Sequence, residues 1–204
     1  MEEHLRAGAA IFNAGHYHAA HDAWEERWLD LEEETDDEAL LHGLIQYTAV
    51  VHHGQEGNWP GAHGLAESGL EYLDALPDDY RGVGLPPIRR YLRRVARDPE
   101  HIERVRPPRI TINGDAPRVG TLDVDTAFLA APVLAEAVGF EASVLEAAVD
   151  YAETDLATGD QGSRFVALVL DFVHDPANRG TIERRLSQLV DRRQTREADV
   201  EDLF

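Results

Sequence analysis

Residues 15–28, GHYHAAHDAWEERW, place three histidines, three carboxylates and two tryptophans on about four turns of a helix. His21 and Glu25 stand one turn apart, so their side chains can meet on one flank beside Trp24 and Trp28. Imidazole and carboxylate at that spacing can hold a divalent metal ion from one rigid element, or work as an acid–base pair. Two ligands do not complete a site. Downstream, His42, Gln46, Ala49 and His53 recur every three or four residues along a segment that is otherwise apolar. If the two helices pack antiparallel, this polar stripe can face His21 and Glu25. A buried polar group without a partner costs about 1–3 kcal/mol, so a metal, a ligand, water or a hydrogen-bonded core network must satisfy the stripe. Spacing by itself favours the core network, because the HExxH signature of metalloproteases is absent. His16, His18, His52 and His63 are expected at the surface, with His18 close enough in sequence to be recruited. Trp24 and Trp28 can each bury about 150–250 Å², which makes them bundle anchors first and ligand-stacking residues second.

The elements that must position these groups read as helices. Residues 2–14 and 16–32 form the first two, parted by Asn13-Ala14-Gly15, and residues 37–56 form a third that is apolar nearly all round and belongs inside a bundle. Asn58 can cap a fourth helix with Pro60 in its first turn, on which Gly61, Leu65, Gly69 and Leu73 make a slim stripe for close helix approach. A loop over 76–87 leads to RRYLRRVAR at 89–97, whose arginines 89, 90, 93, 94 and 97 share one face while Tyr91, Leu92 and Val95 turn inward. These arginines serve mainly as internal counter-charges for acidic helices, with contact to RNA or an anionic ligand as the lesser reading. ITINGDAPRVGTLDV at 110–124 has hairpin chemistry, and helices follow at about 126–138, 141–158, 161–174 and 176–195, before a charged tail that should fray. The fold class expected is all-α, a multi-helix orthogonal or antiparallel bundle with at most one short β-hairpin near 109–124. A helical domain over 1–106 and a C-terminal helical extension over 107–204, packed on it and readable as a diverged repeat, complete the expected organisation.

With 39 acidic residues against 19 basic ones the formal charge is −20, and every basic residue is Arg. Self-repulsion of that size is tolerable where salt shortens the screening length, about 3 Å at 1 M, which is the pattern of a protein from a salt-accumulating extreme halophile. Such a chain should lose helicity on dialysis from molar salt into dilute buffer, and an unchanged circular dichroism spectrum would contradict the inference. The charge disfavours a nucleic-acid partner held through phosphates. There is no cysteine, hence no disulfide or thiolate chemistry, and no apolar run approaches the ~20 residues that span a bilayer. A cytoplasmic protein with no membrane partner is expected, and a homo-oligomer is compatible with everything above.

FNAGHYHAAHDAWEERW followed by HGLIQYTAVVHHGQEGNWPGAHGL resembles the prokaryotic family called domain of unknown function 309. The matching positions are Phe12, Asn13, Gly15, Tyr17, Ala20, His21, Glu25, Trp28, Gly43, Leu44, Ile45, Gln46, His53, Asn58, Gly61 and Ala62, over residues 9 to 75. Asp22 stands where the family has Glu. The resemblance implies an all-helical bundle and no particular activity. It brings the family's polar positions, His21, Glu25, Gln46, His53 and Asn58, onto the constellation reached from spacing. Two functions follow as expectations. The first is a binding or scaffold module whose polar stripe is structural, with His21 and Gln46 satisfied by protein groups and no pocket between the second and third helices; the candidate ligand-binding residues are Gln46, His53, Asn58, Trp24 and Trp28, and the candidate metal set is His21, Glu25 and His53. The second is a hydrolase in which Glu25 acts as base and His21 or His53 as acid or metal ligand. That second reading works either with a divalent metal ion as cofactor or with the His/Glu acid–base pair alone.

Overall fold

In a computed structural model, residues 1–201 are described along the backbone and residues 1–199 with their side chains. The end of the charged tail, residues 202–204, lies outside them. The chain is an all-α bundle whose only ladder among the described residues is a two-stranded antiparallel pair. It divides into two units, residues 1–118 and Val119 onward.

In the first unit, α1 (Glu2–Asn13) buries Leu5 and the run Ala7 to Phe12. It stops at Ala14-Gly15, where Gly15 takes φ +93°, a conformation glycine adopts without strain. α2 (Tyr17–Leu29) follows, then α3 (Asp36–Gln55). Thr35 caps α3 by accepting the Glu38 N–H at 3.3 Å. Acidic residues 36–38 fill its first turn, matching the helix dipole, and His52 and His53 stand in its last. α4 (Trp59–Leu73) starts at the expected Asn58 cap. The slim stripe meets α3 closely: a Cβ on Gly69 would stand 3.2 Å from Cβ of Gln46, and one on Gly43 2.5 Å from Leu73. α5 (Leu85–Val95) buries Ile88, Leu92 and Val95, and α6 (His101–Arg104) is a single turn.

The ladder pairs β1 (Asp79–Tyr80) with β2 (Val83–Gly84). Arg81 and Gly82 between them both have positive φ, the backbone of a tight two-residue hairpin turn. The Asn113-Gly114 turn expected from sequence also forms, with positive φ at both residues, but residues 109–124 contribute single bridges, Ile112 to Asp115 and Ile112 to Val83. Proline explains the shortness. Pro107, Pro108 and Pro117 bracket the turn, and each lacks the N–H that a longer ladder would need. The segment is instead held by Asn13 at the end of α1. Its side-chain amide donates to the Ile110 and Pro117 carbonyls at 2.9 and 3.2 Å, and its oxygen accepts the Ile110 N–H at 2.9 Å.

The second unit consists of α7 (Val124–Ala137), α8 (Ala142–Ala157), α9 (Arg164–His174) and α10 (Arg179–Glu201). Asp123 and Ser163 cap α7 and α9, and Leu134, Leu145, Ala148, Val169, Phe172 and Leu186 form its dry interior. No helix among the described residues is long and apolar enough to cross a membrane.

Candidate functional site

α2 and α3 run antiparallel. The His18 ring stacks on His52 at 5.3 Å at one end of the seam, and Trp28 meets His42 at 4.6 Å at the other. One face of α2 is sealed against α1. Trp24 is fully buried, its indole N–H donates to the His4 carbonyl at 2.9 Å, and a Cβ on Gly8 would fall 2.2 Å from its ring. No ligand can reach that ring, so Trp24 sits where a bundle anchor sits.

The other face of α2 opens on a small cleft of about 170 Å³ lined by His18, His21, His52 and His53 with Thr48 and Ala49. His21 Nδ1 lies 3.1 Å from Asp22 Oδ1 and 3.9 Å from Glu25 Oε2. The Asp22 contact is the main reason the His21 imidazole holds its proton above the ordinary range, with Glu25 adding to it and burial opposing it. The ligand atoms of His18, His21 and Asp22 lie within 4.8 Å of one another, the only such group of three among the described residues. His18 is exposed, as expected, and His52 is half-exposed, and both line this cleft.

Glu25 and His53 are arranged differently. Glu25 approaches His21 at 3.9 Å from the same helix. His53 engages Asn58, and a short chain of donors sets its protonation. Oδ1 of Asn58 accepts the Gly61 N–H at 3.1 Å, so its amide nitrogen is the atom that lies 2.8 Å from His53 Nδ1. Nδ1 must therefore accept, and the proton of the neutral ring sits on Nε2. A Cβ at Gly61 would come within 2.6 Å of the Asn58 amide, which explains the Asn-x-x-Gly spacing by sterics alone.

The polar stripe of α3 splits between the two ends of the seam. His42 stacks on Tyr72 of α4 at 3.9 Å, and its Nδ1 shares Glu38 Oε1 with the Trp28 indole N–H, at 3.0 and 2.8 Å. Trp28, His42 and Tyr72 thus wall a second hollow rimmed by Glu33, Glu34 and Glu71. Between the ends lies Gln46, whose Oε1 is buried without a hydrogen-bond partner. Residues 5–65 match the family described as Domain of unknown function (DUF309). This stretch is similar to that family and is called the DUF309 segment below. An uncharacterized protein of Aquifex aeolicus (strain VF5) is 30% identical over 93 residues, which is 46% of this chain and 28% of that relative's length. Every residue of the histidine cleft falls inside the DUF309 segment.

Sequence reasoning missed two structural residues of this segment. Asn13 was visible as a matching position, but its partners lie 97 and 104 residues away. Tyr47, buried with its hydroxyl on the Pro108 carbonyl at 2.8 Å, gave no signal beyond an apolar helix.

Proposed function

We propose that the protein is a binding module whose histidine cleft between α2 and α3 takes a divalent transition-metal ion through His18, His21 and Asp22. The observation that carries this reading is the convergence of three ligand atoms within 4.8 Å beside a cleft walled by four histidines. Two imidazoles and a carboxylate suit the borderline ions, zinc, nickel, cobalt or copper, better than magnesium or calcium, which prefer all-oxygen sets. Glu25, 3.9 Å from His21 Nδ1, stands beside this set rather than in it. His53, protonated on Nε2, offers the cleft a hydrogen-bond donor for a metal-bound water or anion rather than a lone pair. The competing account is an ordinary network of half-exposed ion pairs, and such pairs contribute only about 0–1 kcal/mol each. A network of that kind does not require four imidazoles around one hollow.

Equilibrium dialysis of the untagged chain against zinc, with elemental analysis, tests the reading. One equivalent of zinc in the wild type, lost in His18→Ala/His21→Ala, is expected. No retained metal, or equal retention in the double variant, would falsify it. The hydrolase reading, with Glu25 as base, is separated by Glu25→Gln, which should leave most of the bound zinc in place. A metal-loaded wild type that hydrolyses an ester or phosphoester, and loses that activity in Glu25→Gln, would make the cleft catalytic.

A further inference from the structure

α5 carries a concentration of positive charge that the histidine cleft does not use. Arg89, Arg90, Arg93, Arg94 and Arg97 line one hollow of about 370 Å³, with Asp78 as its single carboxylate. The helix cannot turn this face elsewhere, because Ile88, Leu92 and Val95 are fully buried on its opposite side. The five arginines are not equivalent. Arg89 is buried and closes the end of α4: its guanidinium donates to the carbonyls of Leu73, Leu76 and Pro77 and reaches Asp78 Oδ1 at 2.7 Å. Arg89 is thus an internal counter-charge, as expected, while also capping backbone carbonyls. Arg93 pairs with Asp74 at 2.7 Å. Arg90, Arg94 and Arg97 are exposed and form no ion pair among the described residues.

Like charges three and four residues apart on a helix repel one another. In a chain with 39 acidic residues and a net charge of −20, carboxylates to neutralise three guanidiniums are abundant, yet none is placed there. The unpaired forks are free for bidentate contacts to an anion, the geometry for which guanidinium is best suited. The size of the hollow suits a compact ligand. The carboxylates of Asp74 and Asp78 stand against Arg93 and Arg89, which opposes a long phosphate polymer, and no aromatic side chain lines the hollow to stack a base.

We infer that the arginine hollow of α5 binds a compact polyanion of the di- or triphosphate type, gripped by Arg90, Arg94 and Arg97 against the fixed guanidinium of Arg89. The phosphate chain could be inorganic or the tail of a nucleotide, and the grip is the same. Isothermal titration of the full chain with inorganic tripolyphosphate, and separately with ATP, tests this. Saturable one-to-one binding of both is expected, weakened at least about a hundredfold in Arg90→Gln/Arg94→Gln/Arg97→Gln. Asp78→Asn removes the one carboxylate that lines the hollow and should tighten binding several-fold, a gain that misfolding cannot produce. The inference is overturned by absence of saturable binding, by equal binding in the triple variant, or by no gain in Asp78→Asn. A single-stranded oligonucleotide that binds the same arginines more tightly than tripolyphosphate also overturns it, in favour of nucleic acid.

Discussion

Trp24 and Trp28 stand one turn apart on the same helix and have opposite fates. Trp24 is sealed beneath Gly8 with its indole N–H on a backbone carbonyl, while Trp28 stays half-buried with its N–H on the Glu38 carboxylate. The first arrangement is dry and fully satisfied. The second belongs to a seam that keeps a buried orphan oxygen at Gln46, shared carboxylates and two hollows. One face of α2 is therefore built for stability and the other is left open to solvent and ligands. Polar residues on a helix become a site only where the packing beside them is incomplete.

The contrast is testable from its strongest consequence downward. Trp24→Ala should cost about 3–5 kcal/mol in chemical denaturation, and Trp28→Ala much less; equal losses would remove the distinction between the two faces. Gly8→Ala, although it favours helix, drives a methyl into the Trp24 ring and should destabilise by about 1–3 kcal/mol. A neutral or stabilising result, read from the thermal midpoint, would mean that the seal is loose. Gln46→Met should be neutral or slightly stabilising, within about 1 kcal/mol, because it removes an unpaired buried oxygen and no bond. A larger loss would reveal a partner for that oxygen and make the seam as closed as the Trp24 side.

Acid sensitivity should also belong to the sealed face. Burial, aided by the N-terminal ammonium and Arg27, lowers the pKa of His4, against smaller raising effects of Glu26 and Glu3. Its folded value thus lies below the unfolded one of about 6.5. The stability linked to neutral His4 is present above that unfolded value and is lost as pH falls through the folded one. In urea titrations below neutrality, His4→Gln should flatten part of the decline with pH. An unchanged slope would separate His4 from the acid response.

Much of the fold was legible because the signals were local. Asn13-Ala14-Gly15 breaks a helix, Asn58 with Pro60 begins one, and Gly69 permits close approach, each within a few residues of its effect. His21 and Glu25 were found by the same short-range rule. The sequence could not say that Asn13 would grip Ile110 and Pro117, nor that Arg89 would close the end of α4, because those partners are set by tertiary packing. It placed His18 at the surface, where it is exposed, without showing that it would stack on His52. Their meeting depends on the antiparallel register of α2 and α3, which no single-helix periodicity contains.

The Asn58 cap has a consequence for the chemical identity of the cleft. Aspartate caps helices as well as asparagine, so Asn58→Asp preserves the Gly61 contact and exchanges one NH2 for an oxygen. Facing an acceptor, His53 would then have to donate from Nδ1, and its Nε2 would present a lone pair. A single isosteric change, visible in the nitrogen chemical shifts of the ring, would recode the wall of the cleft from hydrogen-bond donor to metal ligand.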